Sequence, residues 1–233
     1  MLRSVRPVGL LRAVHTKSKA DPVDLKFSPL TADDYDVAFN ACNYDYAGAE
    51  PMARALGLGP DKTAGYVDYV VRAAIADGYS FKATDLKSGK HVGFALCSVE
   101  PTTKKIDQAA LHDAFLPLFN IYSKCNAIFD EWNAAEGKWN KWLSYNIAWI
   151  APDYRGNHSL SRHISTTGLD VAKLKQEGIG GMKGVSVTKA VLKVAKRNGW
   201  QAVGTVPRAE YIVHRVPLPN DGFMATTIVK PLE

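Results

Sequence analysis

The stretch from Leu143 to Ala151, reading LSYNIAWIA, constrains the fold most. Tyr145, Ile147 and Trp149 alternate with smaller or polar residues, the period-two pattern of a strand with one face on a core. The run ends at Pro152, and a helical pattern follows from about Ser159 to Gln176. There Leu160, Ile164, Thr167, Val171 and Leu174 recur at steps of four and three. A buried strand feeding straight into an amphipathic helix demands a layered sheet with helices packed on it.

The remaining patterns supply further layers. Leu25 to Leu30 reads as an opening strand, and Thr31 with Asp34 three residues on starts a helix reaching about Tyr44. A second helix starts near Glu50-Pro51, with proline in the first turn. A third runs from about Asp61 to Asp77, with Tyr66, Tyr69, Val70, Ala73 and Ala74 on one face. Phe81 to Asp85 and His91 to Glu100 flank a turn-rich connector and predict a hairpin. Ile106, Leu111, Phe115, Leu118, Phe119 and Tyr122 are spaced as a helix face, and Pro117 inside it predicts a kink or break. Met182 to Val187 reads as a strand. A short helix follows with Val187, Val191, Val194 and Ala195 inward and Lys189, Lys193 and Lys196 outward, stopping at a left-handed Gly199. Ala202 to Val206 and Phe223 to Lys230 are the last strands. The order predicts one domain over residues 21–233, a mixed α/β sheet in one layer with helices on both sides.

Charge is concentrated at one end. Residues 1–20 carry Arg3, Arg6, Arg12, Lys17 and Lys19 and no acid, while the rest holds the remaining 24 basic and all 23 acidic residues. The folded part is therefore nearly neutral, and a nucleic-acid face is not expected. The Arg-rich, acid-poor start predicts a mitochondrial transit peptide directing the chain to the matrix, the alternative being a disordered basic tail. No apolar run approaches the roughly 20 residues of a membrane span. Cys42, Cys97 and Cys125 form no CxxC pair or even framework, which points to a reducing compartment. His158 and His163, five apart, do not share a helix face, so no metal site is expected. The 178–184 glycine run, GIGGMKG, fits neither GxGxxG nor GxxxxGK[ST], and GxSxG is missing.

The chemistry is expected at the end of the central strand. Ala151-Pro152-Asp153-Tyr154-Arg155-Gly156-Asn157 leads into a helix whose first amides suit a phosphate. Arg155 adds a cation, and Gly156 allows close backbone approach. The same residues also describe an ordinary strand–helix turn in which Tyr154 and Arg155 pack and meet solvent.

This stretch resembles the acetyl-CoA segment of GNAT N-acetyltransferases: a strand, Pro-x-Tyr-Arg-Gly, then a helix. Gly184-Val-Ser-Val-Thr188, Lys196-Arg-Asn-Gly-Trp200 and Pro207-Arg-Ala-Glu-Tyr211 resemble the closing half of that fold. Tyr46-Ala-Gly-Ala-Glu50-Pro51-Met52 resembles the acidic Glu-Pro segment of insect-type arylalkylamine N-acetyltransferases. The resemblance implies a single, mostly antiparallel twisted sheet flanked by helices on both faces. It implies direct acetyl transfer from acetyl-CoA to a small amine, arylalkyl amines included, by a monomer or homodimer without metal, membrane or nucleic acid.

In that reading Glu50, at the end of a loop among Tyr44, Tyr46 and Met52, is the general base, unless it only complements the dipole of the helix it starts, and Ser186 and Thr188 position substrate or relay a proton, unless they only cap a helix. The backbone at Trp149, Ile150 and Ala151 holds the pantetheine arm. Arg155, Gly156, Asn157, His158, Ser159 and Leu160 meet the phosphates. The family pattern is Arg/Gln-x-x-Gly-x-Gly/Ala, whereas here His158 and Leu160 replace small residues. That departure motivates an alternative, a non-catalytic GNAT-like protein that binds acyl-CoA or a partner.

Overall fold

The computed structural model describes residues 24–101, 106–156, 160 and 171–232. Strand β1 (Leu25–Pro29) ends at Leu30, and the Asp34 carboxylate accepts from the Thr31 backbone N–H at 2.8 Å, the reach-back expected of that pair. Asp34 also receives Lys82 from β2, which fixes the start of helix α1 (Tyr35–Ala49) to the sheet. Helix α1 extends five residues beyond the expected end at Tyr44 and stops at Glu50. Helix α2 (Pro51–Ala55) starts immediately, with proline in its first turn.

Helix α3 (Pro60–Asp77) turns Val67, Val70, Val71 and Ala74 to the core, leaving Tyr66 and Tyr69 at its margin. The hairpin forms as β2 (Phe81–Asp85) and β3 (His91–Glu100). Pro117 does not kink a helix. It stands in the first turn of α4 (Leu116–Trp132), where its missing N–H leaves nothing unsatisfied, and the residues before it form two 3-10 turns.

Strand β4 (Trp142–Ile150) is followed by helix α5 (Val171–Gln176), most of the expected 159–176 helix lying outside the described residues, then β5 (Gly181–Ser186) and α6 (Lys189–Arg197). Gly199 takes the left-handed φ of 82° expected at the end of α6. Leu192 rather than Val191 packs inward on α6, and Val191 is exposed. Strand β6 (Gln201–Thr205), an unexpected short helix α7 (Arg208–Val213) and β7 (Thr226–Pro231) complete the chain.

The seven strands form one sheet in the order β1-β2-β3-β4-β5-β7-β6, antiparallel except for β4 beside β5. Helices α1 and α3 cover one face through Phe94, Leu96 and Ile147, and α4 packs on Val185 and Val206. Helices α5 and α6 cover the other through Cys97, Leu143, Met182 and Ile228. The three free cysteines are all buried, one in each of these clusters: Cys125 under α4, Cys42 on α1 and Cys97 beneath α5.

Strand β4 departs from simple alternation. Leu96 faces Ile147 while Cys97 faces Tyr145, so Asn146 is an extra residue, a β-bulge. The bulge is held by its own side chain, which donates to Ser98 Oγ at 2.8 Å and accepts from Ser144 Oγ at 3.1 Å. One inserted residue reverses the facing of all that follow. Tyr145 therefore packs edge-on against Trp200 on the α5–α6 side, whereas Ile147 and Trp149 join α1 and α3. The expected common face of these three residues is thus split.

Candidate active site

The bulge opens the sheet. β4 pairs with β5 only from Leu143 to Tyr145, opposite Met182 to Gly184. Beyond that point β4 stays with β3 as far as Ile150, and β5 stays with β7 as far as Ser186. The two strands part like a wedge. Among the described residues, no strand pairs with the β5-facing edge of β4 from Asn146 to Ile150. Such an edge offers peptide groups to an extended, amide-bearing ligand.

The end of that edge is closed. Ala151 donates its N–H to Val92 at 3.0 Å and accepts from Tyr154 N–H at 2.9 Å, which ties the strand end to β3 and to the turn beyond. The Ile150 carbonyl accepts from Arg155 Nε at 3.1 Å. Trp149 keeps its place on the open segment. Its ring lies 5.4 Å from Phe94, and its indole N–H is buried with no hydrogen-bond partner among the described residues.

The turn beyond is braced from two sides. Tyr154 donates to Asp85 at 2.7 Å, tying it to the β2–β3 hairpin, and Arg155 pairs with Asp45 of α1. Gly156 has φ of 92°, a left-handed conformation that favours glycine, and a Cβ there would meet nothing within 4 Å. Asn157, His158 and Ser159 lie outside the described residues. Leu160 is fully buried against Phe81, Ala83, Val92 and Ala95, so its bulk fills the core under the sheet. The expected obstruction by Leu160 at the phosphate turn is thereby corrected.

Glu50 stands between α1 and α2 as the cap of α2, not at the end of a loop. One carboxylate oxygen accepts from the Ala53 N–H, while Oε1 is buried and has no hydrogen-bond partner among the described residues. Burial pushes this carboxyl up to about 7, against the opposing pull of the Ala53 and Met52 amides and the Tyr122 hydroxyl.

Aromatic rings wall the site. Tyr66 lies 5.5 Å from Tyr46, 4.9 Å from Phe115 and 6.1 Å from Tyr122, centroid to centroid. Tyr46 and Tyr66 pack against both the cluster holding Ile147 and Trp149 and the cluster holding Met52, Val185 and Val187. The wall thus stands where β4 and β5 diverge. Tyr44, expected beside Glu50, points to solvent. A buried carboxyl that titrates near neutrality, with a vacant lone pair and aromatic neighbours, can accept a proton from an amine.

Ser186 and Thr188 both engage the backbone at the start of α6. Ser186 Oγ donates to the Thr188 carbonyl at 3.0 Å, and Thr188 Oγ1 accepts from Val191 N–H at 3.1 Å, capping α6. The Thr188 contact is the one its capping alternative expects. Tyr66 and Tyr122, missing from the expected site, sat within helical stripes that looked like plain core. Their aromatic hydroxyls, in a chain with an acidic Glu-Pro segment, were the available signal.

No protein-family profile and no curated protein matches the chain by sequence. Solved structures match its fold. Arylalkylamine N-acetyltransferase 2 from Aedes aegypti superposes with a TM-score of 0.73 at 13% identity, covering 90% of this chain and 100% of that one. The C-terminal condensation domain of Ebony, in complex with β-alanyl-dopamine, gives 0.70 at 11% identity over 90% and 99%. The Drosophila melanogaster polyamine N-acetyltransferase that forms N-acetylagmatine gives 0.61 at 12% identity over 89% and 100%. The chain has the GNAT N-acetyltransferase fold.

Proposed function

We propose that the protein is an acetyl-CoA-dependent N-acetyltransferase acting on a small arylalkylamine by direct transfer. The observation that carries this reading is Glu50: buried, with one oxygen that has no hydrogen-bond partner among the described residues, and with its carboxyl pushed up to about 7 by burial. The pantetheine arm of acetyl-CoA lies along the open edge at Trp149 and Ile150, and its phosphates meet the turn at Arg155 and Gly156. The ammonium of the acceptor gives a proton to Glu50, directly or through water. Its nitrogen then attacks the thioester carbonyl, the new C–N bond forms, the C–S bond breaks, and the thiolate leaves and takes up a proton.

Aromatic walls around one carboxylate favour an aromatic monoamine over a polyamine, whose second cation finds no acid among the described residues of this wall. Arylalkylamine N-acetyltransferase 2 and the Ebony domain that holds a dopamine conjugate superpose better, at 0.73 and 0.70, than the polyamine enzyme at 0.61, which supports that choice.

Calorimetry with acetyl-CoA and a thiol-release assay over phenethylamines, indole-ethylamines, agmatine and spermidine test the proposal. Binding, with fastest release on the arylalkylamines, is expected. Binding without turnover on any amine assigns instead the non-catalytic acyl-CoA-binding role, and absence of binding rejects both. Turnover should fall as pH drops through about 7, where Glu50 takes up its proton. Glu50→Gln should reduce turnover by at least about a hundredfold and leave acetyl-CoA affinity within about twofold.

The basic, acid-free residues 1–20 are the proposed mitochondrial address. A fluorescent fusion carrying only those residues should enter mitochondria.

A further inference from the structure

We infer that Asp45 is a positioning residue that couples the donor turn to the acceptor wall through its ion pair with Arg155. This rests on the reading of that turn as the phosphate site of acetyl-CoA and of the aromatic wall at Glu50 as the amine site. Arg155 stands in the turn after β4 and Asp45 on α1, 110 residues earlier, yet Arg155 Nη2 meets Asp45 Oδ1. Arg155 Nε also donates to the Ile150 carbonyl at 3.1 Å, so one side chain joins the end of β4, the turn and α1. The two side chains are 43% and 27% exposed, so an anion can reach the guanidinium from solvent. The contacts use Nε and Nη2, which leaves Nη1 to donate to a phosphate oxygen while Asp45 stays bound.

Asp45 is joined as directly to the acceptor side. The next residue is Tyr46, whose ring lies in the wall beside Tyr66 and Phe115. The Tyr46 carbonyl accepts from the Glu50 N–H at 3.1 Å, so Asp45, Tyr46 and Glu50 span the last turn and cap of α1. A hydrogen-bonded helical turn shifts as a unit. The start of α1 is tied to β2 by Lys82 with Asp34, and Arg155 is the counterpart at its far end. A phosphate held by Arg155 stills the guanidinium, and Asp45 with it. The amine then meets a wall whose ordering has already been met by the donor, which is positive coupling between two sites.

The test uses the whole protein with CoA lacking its acetyl group, so that no transfer occurs. Calorimetry gives the Kd of phenethylamine with and without saturating CoA. In the unsubstituted protein CoA should tighten the amine about fivefold, the scale of one partly exposed ion pair. Asp45→Asn, which keeps the shape and removes the charge, should bring that factor close to one, and Asp45→Glu should retain most of it. Hydrogen exchange supplies a second reading. CoA should slow the amides of residues 46–50 in the unsubstituted protein and leave them unchanged in Asp45→Asn, while those of β2 and β3 keep their parental rates and show the fold intact. A factor near one in the unsubstituted protein, or one undiminished in Asp45→Asn, overturns the inference. Failure of the unsubstituted protein to bind CoA or phenethylamine overturns the parent reading instead, so the two failures are told apart before any variant is compared.

Discussion

A carboxyl that is easier to protonate in the folded protein than in the unfolded chain makes folding favour the proton. Glu50 rises from 4.5 to about 7, so the native state binds the extra proton between those values. Its contribution to stability is fully present below pH 4.5 and is lost as pH rises through about 7. The difference amounts to about 3 kcal/mol at pH 8, from 1.36 kcal/mol for each pH unit of displacement. Glu50→Gln keeps an oxygen for the Ala53 N–H and removes the buried charge. It should therefore melt higher than the parent at pH 8 and alike at pH 4, as thermal unfolding at the two pH values would reveal. A gain in stability with loss of turnover is the signature of a group kept for chemistry.

Among elements, β4 and the turn after it decide what the fold can do. In Gly156→Ala the new methyl group has room, so the cost is the left-handed backbone alone, about 1 kcal/mol, readable as a shift of the urea midpoint. Tyr154→Phe releases the turn from Asp85, and the KM for acetyl-CoA should rise several-fold with little change in kcat. Much of this region was legible beforehand. The strand, its stop at Pro152 and the glycine turn follow from alternation and backbone chemistry, as do the hairpin, the Thr31–Asp34 start and the Glu50-Pro51 boundary. The bulge at Asn146 was not, because pairing against β3 fixes it and nothing local marks it. Tyr122 was hidden for a similar reason. It lies 76 residues from Tyr46, and only tertiary packing brings the two hydroxyls together. For Thr188 the capping alternative was legible as well, since a hydroxyl just before a helix serves readily as its cap.

For the molecule as a whole, one continuous sheet separates the helical layers, and the proposed chemistry sits on the α1–α3–α4 side. The phosphate turn is braced by the hairpin on one side and α1 on the other, so the acceptor wall and the donor turn share α1 as a common support. The thiols of Cys42, Cys97 and Cys125 are all pushed up by burial and are unreactive in the closed fold. Distributed one to a cluster, they make the native chain a set of built-in clocks for its own breathing. An aromatic disulfide reagent should colour slowly with the intact protein and at once with the unfolded one. Single-cysteine versions would time the loosening of each layer separately. Slower labelling of Cys125 and Cys42 than of Cys97 on adding acetyl-CoA with an amine would locate the stiffening on the side that holds Glu50.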